Sequence, residues 1–315
     1  MRKFISVKIL WYFLSIILFW NMLIAMRAWR FTHFSDAPKP GELQVTKAGL
    51  FSQVADRFTG RTYYKTTNTE KPSQPYSTIC LETESGLKIE CWQMAVANPK
   101  GTVILFHGLQ GSKQNMLPEA YGLMEMGYNT LLVDFRAHGG SDGYRCTLGA
   151  KETEEIKLAA GHLRLKGENN IILYGASMGA ATIMSALTRY PELKPSKIIL
   201  DMPFASYERL VEKWFQKSKY PGQPGAALFT FWSGLLNGQS FFGMKPASFA
   251  KDIQCPVLLQ WGRSDHLVPE RDTKKIFEHL SSPSKQLVVY EQCGHESYCV
   301  KENDKWKAAV SGFLR

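Results

Sequence analysis

The sequence predicts an α/β domain whose sheet is mostly parallel and covered by helices on both faces. Six short runs carry that prediction: Thr102–Phe106, Asn129–Val133, Ile171–Tyr174, Lys197–Leu200, Val257–Gln260 and Gln286–Tyr290. Each is apolar at nearly every position rather than at alternate ones, the pattern of strands buried on both sides. Segments with helical spacing separate them, and strand–helix alternation of this kind builds a doubly wound sheet. Composition agrees. At 315 residues, 44% hydrophobic and 21% charged, the chain can fill one large domain plus an appendage and is neither disordered nor low-complexity.

The appendage comes first. After a short tail at 1–8, Ile9 to Met26 reads ILWYFLSIILFWNMLIAM, without a charged residue. At about 1.5 Å per residue this helix would reach about 27 Å, close to the ~30 Å hydrocarbon core of a bilayer. A cleaved signal peptide has a shorter apolar stretch that ends in small residues. Here the run exits into Met26-Arg27-Ala28-Trp29-Arg30, so an uncleaved, single-pass membrane anchor over 9–26 is the expectation. Trp11, Tyr12, Trp20 and Trp29 lie towards its ends, as interfacial aromatics do. Arg2, Lys3 and Lys8 balance Arg27 and Arg30, so the positive-inside rule assigns no side to the domain.

Residues 27–76 read as a stalk and lead-in. Ala37-Pro38-Lys39-Pro40-Gly41 breaks the chain, Gln44 to Phe58 suits a short amphipathic helix, and Thr66 to Ser77 is polar and Pro-containing, as linkers are. The main domain is expected over 77–315. It opens with strand-like runs at Ile79–Glu84 and Leu87–Ala95 around Ser85-Gly86, a tight hairpin. Ile156, Ala159, Ala160 and Leu163 fall on one helix face, and Ala180 to Leu187 is apolar nearly all round, so that helix should be central. Pro269 suits the start of a helix carrying Ile276, Phe277 and Leu280, and Trp306, Val310 and Phe313 mark the last helix. An insertion at about 204–254 should form a small cap. Tyr207, Leu210, Val211 and Trp214 predict one amphipathic helix there, followed by a stretch rich in aromatics: Tyr220, Phe229, Phe231, Trp232, Phe241 and Phe242. Packing of the lid onto the sheet is the expected role of these rings, ahead of an acyl-accepting wall or contact with a bilayer.

The most informative run is Ile171-Ile172-Leu173-Tyr174-Gly175-Ala176-Ser177-Met178-Gly179, which sets G-x-S-x-G between an apolar strand and an apolar helix. A serine hydroxyl is a weak nucleophile unless it is held exposed beside a base. A sharp strand-to-helix turn does this, glycines make room for it, and the helix N-terminus adds free N–H groups and positive partial charge.

In that context the sequence resembles the α/β-hydrolase superfamily over about residues 77–315, in particular its small-capped serine-aminopeptidase-like and monoacylglycerol-lipase-like members. His107-Gly108-Leu109-Gln110-Gly111 resembles the oxyanion loop, and Asp134-Phe135-Arg136-Ala137-His138-Gly139-Gly140-Ser141 the turn after the next strand. Trp261-Gly262-Arg263-Ser264-Asp265-His266-Leu267-Val268-Pro269 resembles the acid loop, and Gly294-His295 the histidine loop. The resemblance implies the α/β-hydrolase fold and a serine hydrolase. Ser177 is then the nucleophile, His295 the base and Asp265 its orienting acid, in the order the family uses. The backbone N–H groups of Leu109 and Met178 form the oxyanion hole.

The remaining titratable residues are sorted against that expectation. Asp201, at another strand end, is the alternative acid. His107 is expected to shape its own loop and His138 to stabilise a Gly-rich turn. His266 sits at the rim, while His33, His162 and His279 are expected in solvent, as is Glu296. No His/Cys spacing, H-E-x-x-H or C-x-x-C points to a metal, and no cofactor is expected. Six cysteines are few for a disulfide scaffold. Cys80 would lie opposite Cys91 in the hairpin, and Cys293 and Cys299 flank His295, so bridges or free buried thiols are both open. Net charge is +10, from 38 Lys and Arg against 28 Asp and Glu. Half of it lies in residues 1–47 and no dense basic run follows, so nucleic acid is not an expected partner. The sequence thus predicts a membrane-anchored serine hydrolase acting on a small-molecule ester, thioester or small amide. Its rivals are a peptidase- or thioesterase-type enzyme, or a non-catalytic interaction module; the sequence assigns no oligomeric state.

Overall fold

In the computed structural model, which describes residues 2–36, 56, 58–218 and 222–315, the sheet has eight strands in the order β1-β2-β4-β3-β5-β6-β7-β8. Helix α1 (Arg2–Thr32) precedes the hairpin strands β1 (Tyr76–Glu82) and β2 (Lys88–Met94). Strands β3 (Thr102–Phe106) and β4 (Asn129–Val133) flank α2 (Leu117–Glu125). After α3 (Thr153–Leu165) come β5 (Ile171–Ala176), α4 (Met178–Arg189) and β6 (Lys197–Asp201). The insertion holds α5 (Tyr207–Lys217), α6 (Gly225–Asn237) and the short α7 (Pro246–Phe249). Strands β7 (Val257–Gly262) and β8 (Lys285–Tyr290) enclose α8 (Glu270–His279), and α9 (Tyr298–Lys301) and α10 (Asn303–Leu314) close the chain. From β4 to β8 every pairing is parallel; β1 and β2 add an antiparallel edge. The mostly parallel sheet expected from the apolar runs is present.

The runs behave as their composition dictates. Every residue of β3 and β7 is buried, because helices cover both faces. One layer of core includes Ile104, Phe106, Leu173, Ile183 and Leu200, and the other Val103, Leu105, Leu123, Tyr174 and Trp306. Helix α4 is buried along most of its length, as its all-round apolarity requires.

Three expectations change. In the hairpin the loop spans Thr83–Leu87, with Glu82 paired to Lys88, so Cys80 faces Glu90 and Cys91 faces Ile79. A one-residue difference in register puts the two thiols on opposite faces of the pleat, where they cannot bridge. All six cysteines are free thiols. Second, the chain after the apolar run is no detached stalk. Helix α1 continues through Arg27 to Thr32, and Leu23, Ile24, Ala28, Phe31 and Phe34 are buried against the domain. Phe31 lies 4.8 Å from Trp214 and 5.7 Å from Phe229, ring centre to ring centre. His33 is half-buried and stacked on Trp29 rather than solvated, and His162 is also half-buried. Third, the polar segment at 66–77 is strapped down: Thr66 Oγ1 donates to Gly111 O, Asn68 Nδ2 to Asp134 Oδ2, and Ser73 N to the Tyr121 hydroxyl. The break at 37–41, most of the helix expected over Gln44–Phe58, and Tyr220 lie outside the described residues.

The loops after β3 and β4 share one buried polar centre. Lys113, wholly buried, donates through Nζ to Asp134 Oδ2 and, at 2.6 Å, to Glu90 Oε1, while lying 4.3 Å from the Trp92 ring centre. Asp134 also accepts from the Lys113 and Gly140 amides, so one carboxylate ties three segments. Removing one partner of a buried ion pair strands the other charge, at about 3–5 kcal/mol. Lys113→Met is therefore expected to lower unfolding stability by about that amount, read from denaturant midpoints at unchanged slope.

Candidate active site

At the C-terminal edge of the sheet the chain passes from β5 to α4 through Ser177, whose backbone has φ 52° and ψ −106°. A non-glycine residue in this region is strained and is held only by its surroundings. The Ser177 amide donates to Asp201 O and its carbonyl accepts from the Ala181 amide, fixing the turn from both sides. Gly179 meets the next strand so closely that a Cβ there would lie 2.3 Å from Phe106 O, which is why a glycine must stand at the helix start.

His295 lies between Ser177 and Asp265. Its Nε2 is 2.8 Å from Ser177 Oγ and its Nδ1 is 2.7 Å from Asp265 Oδ2. Asp265 is buried, and its other oxygen accepts from the Leu267 and Val268 amides at 2.8 and 2.9 Å. These two donors fix the carboxylate so that its remaining oxygen faces the imidazole. The acid and histidine loops touch through backbone: Ser264 N donates to Cys293 O, and a Cβ on Gly262 would be 2.5 Å from Cys293 O and Gly294 O. An alcohol bonded to an imidazole that is oriented by a carboxylate can pass its proton to the ring as it attacks an electrophile.

Leu109 and Met178 line the same cavity as Ser177, and their amides have no acceptor among the described residues. Met178 is the first residue of α4, so its N–H is one of the helix's unpaired donors. The Leu109 loop is held by His107, whose Nδ1 donates to Gly108 O while Nε2 accepts from the Phe135 amide. Burial pushes the His107 imidazole below its ordinary range, so it stays neutral and keeps both bonds. His138, wholly buried, is pushed down to about 3 by burial and by the neighbouring His107, and its Nδ1 donates to Arg136 O. Both act on loops, as expected from their positions. His266, His279 and Glu296 are exposed.

The site opens into a cavity of about 970 Å³. Ser177, His295, Leu109, Met178 and Met202 line it, together with Phe204, Leu210, Trp214, Phe215 and Phe229 of the insertion. Arg27 and Phe31 of α1 also line it, which the sequence did not foretell: two residues just beyond an apolar span carry no pattern that aims them at a site 150 positions away. Glu119 was missed too. It is buried on α2, its Oε1 accepts from Ser297 Oγ at 2.5 Å, and burial raises its carboxyl above the usual range.

The serine aminopeptidase S33 family, Hydrolase_4, matches residues 97–227 and 231–302, well over half of the chain. The chain belongs to that family. It is accordingly a hydrolase of the α/β-hydrolase fold. An esterase from Pyrococcus furiosus, Pf2001, superposes with a TM-score of 0.67 at 25% identity, covering 79% of this chain and 95% of the esterase. The uncharacterized protein YqkD of Bacillus subtilis is 25% identical over 232 residues, 73% of this chain and 76% of its own length. The uncharacterized membrane protein YNL320W of Saccharomyces cerevisiae is 21% identical over 233 residues, 72% of this chain and 76% of its own.

Asp201, the alternative acid, does not reach His295. Its Oδ2 accepts from the Tyr174 hydroxyl at 2.6 Å and its Oδ1 from Gln260 Nε2 at 2.7 Å, inside a network that continues to Trp306 and Tyr290. Burial pushes its carboxyl up to about 8, outweighing the Tyr174 bond, with nearby Glu119 adding to the rise. The folded protein then holds a proton that the unfolded chain, at the ordinary value of 3.8, releases. Stability from this group is present below that ordinary value and is lost as pH rises towards about 8. Asp201→Asn, neutral at every pH, is expected to flatten this fall, so its stability relative to the parent grows between pH 4 and 8. Denaturant titrations at several pH values check it.

Proposed function

We propose that the protein is a membrane-anchored serine hydrolase that cleaves a carboxylic ester, thioester or small amide through an acyl-enzyme on Ser177. The observation that carries this reading is the line of contacts from Ser177 Oγ through His295 to Asp265, 2.8 and 2.7 Å long. Family membership and the resemblance in fold to the Pyrococcus esterase support it, and the apolar wall of Leu210, Trp214 and Phe229 favours an acyl ester. The anchor rests on α1, where an 18-residue stretch within Val7–Thr32 has mean hydropathy 2.1 and is largely exposed, and on the yeast relative's being a membrane protein.

In the first half-reaction Ser177 Oγ attacks the carbonyl carbon and its proton passes to His295 Nε2. Asp265 keeps the imidazole in the tautomer that accepts there and stabilises the imidazolium. Charge developing on the carbonyl oxygen meets the Leu109 and Met178 amides; each such donor is worth about 3–4 kcal/mol. His295 then protonates the departing alcohol, thiol or amine. Water attacks the acyl-enzyme, gives its proton to His295, and the acid leaves as Ser177 regains its hydrogen. No redox or group-carrying partner enters this sequence.

A fluorophosphonate probe is expected to label the parent and not Ser177→Ala. Labelling that persists in the variant defeats the assignment. Turnover of p-nitrophenyl esters separates the two candidate acids: Asp265→Asn is expected to lower kcat by about 10⁴ through the wrong tautomer, as at other such sites, and Asp201→Asn by far less. Equal losses at both positions would remove Asp265 from its role.

A further inference from the structure

The insertion carries a face that its packing leaves open. Residues 220–244 contain no Asp, Glu, Lys or Arg, an uncharged run of 25 positions. Within it, α6 buries Phe229, Thr230 and Ser233 but leaves Phe231 and Leu235 about half exposed, with Phe242 exposed beyond the helix end. Isolated apolar residues at a surface need no explanation, but an uncharged helix with a Phe–Leu stripe one turn apart does.

The position of α6 supplies one. It packs against α1 and runs past it in the opposite sense: Phe229 meets Phe31, and Trp232, one turn on, donates through Nε1 to Asn21 Oδ1 at 2.5 Å. Asn21 lies inside the apolar run, six residues before Arg27, or about 9 Å below the charged boundary at 1.5 Å per residue. Leu235 stands one turn further in the same direction. The open stripe of α6 thus continues the exposed apolar surface of α1, formed there by residues such as Leu14, Ile17 and Leu18. Where α1 emerges, Arg27, Phe31, Arg61 and Lys217 line the cavity that holds Ser177, with Asp56 among them.

Resting on the anchor proposed above, we propose that the Phe231–Leu235 face of α6 lies in the bilayer leaflet beside α1, and that the cavity takes its acyl substrate from that leaflet. The occupant of the face is lipid, and the substrate class is a membrane-resident amphiphile whose acyl chain enters past Phe31. Covering Phe231 and Leu235 with acyl chains removes their apolar surface from water, and the run around them has no charge to desolvate.

The test uses the full chain in phosphatidylcholine–phosphatidylglycerol vesicles, in a Cys80→Ser, Cys255→Ser background. An NBD fluorophore is attached at Ile16→Cys, Leu235→Cys or Leu165→Cys, with doxyl-labelled lipid as quencher. Leu165 is the reference because it is 92% exposed on α3. Blue-shifted, lipid-quenched emission at 16 and 235 but not at 165 is the expected result. Quenching at 16 with a water-like or lipid-insensitive probe at 235 overturns the immersion of α6 while leaving the anchor in place, and includes the case of a second protein copy on that face. No quenching at 16 defeats the anchor itself and this inference with it. Substrate supply has its own readout. Phe231 and Leu235 do not line the cavity, so Phe231→Asp with Leu235→Asp is expected to lower hydrolysis of a vesicle-dissolved long-chain ester while water-soluble p-nitrophenyl acetate and fluorophosphonate labelling hold. Loss on both substrates alike, or on neither, overturns the leaflet route.

Discussion

The reversal of the chain at Ser177 is the constraint on which the site depends. A residue with a side chain is held at positive φ because its amide is bonded to Asp201 O and its carbonyl to the Ala181 amide, while Gly179 lets α4 start in contact with Phe106. That one turn carries Ser177 out of the strand, leaves the first N–H of the following helix unpaired, and sets α4 through the middle of the core. The strain is local, and the buried strands β3, β5 and β6 on either side provide the rigidity that maintains it.

Around this turn, loops that need to be accurate are held by polar groups without access to water. Asp134 and Lys113 tie the loops after β3 and β4 to β2; His107, kept neutral by burial, joins the Leu109 loop to Phe135. Two backbone amides fix Asp265, and backbone contact at Gly262 and Cys293 fixes the spacing to His295. In a low-dielectric interior each of these groups is costly to leave unpaired, so the loops have one arrangement that satisfies them all. Preorganisation of this kind is what allows N–H donors to meet developing charge without rearrangement.

The cap and the N-terminal helix form one unit. Phe31 fits among Tyr63, Trp214 and Phe229, so the segment that leaves the apolar span also walls the cavity. The aromatics of the insertion divide accordingly: Phe229 and Phe241 fill the space between lid and sheet, while Phe231 and Phe242 point away from it. The expectation of simple packing therefore describes Phe229 and Phe241 but not Phe231 and Phe242.

By itself the sequence determined the strands, because a run such as Thr102–Phe106 can be apolar throughout only where both faces are covered, and it determined the elbow, because G-x-S-x-G between strand and helix is a local pattern. It also located Asp265 and His295, each by its motif at a strand end. Tertiary structure alone decided which carboxylate faces the imidazole: Asp201 and Asp265 both follow strands, but one is taken up by Tyr174 and Gln260. It decided as well that Cys80 and Cys91 lie back to back and that Arg27, Phe31 and Glu119 reach the cavity. Local pattern records which face of an element is apolar; it does not record register, helix continuation or the partner across a cavity, since those depend on contacts between residues far apart in the chain.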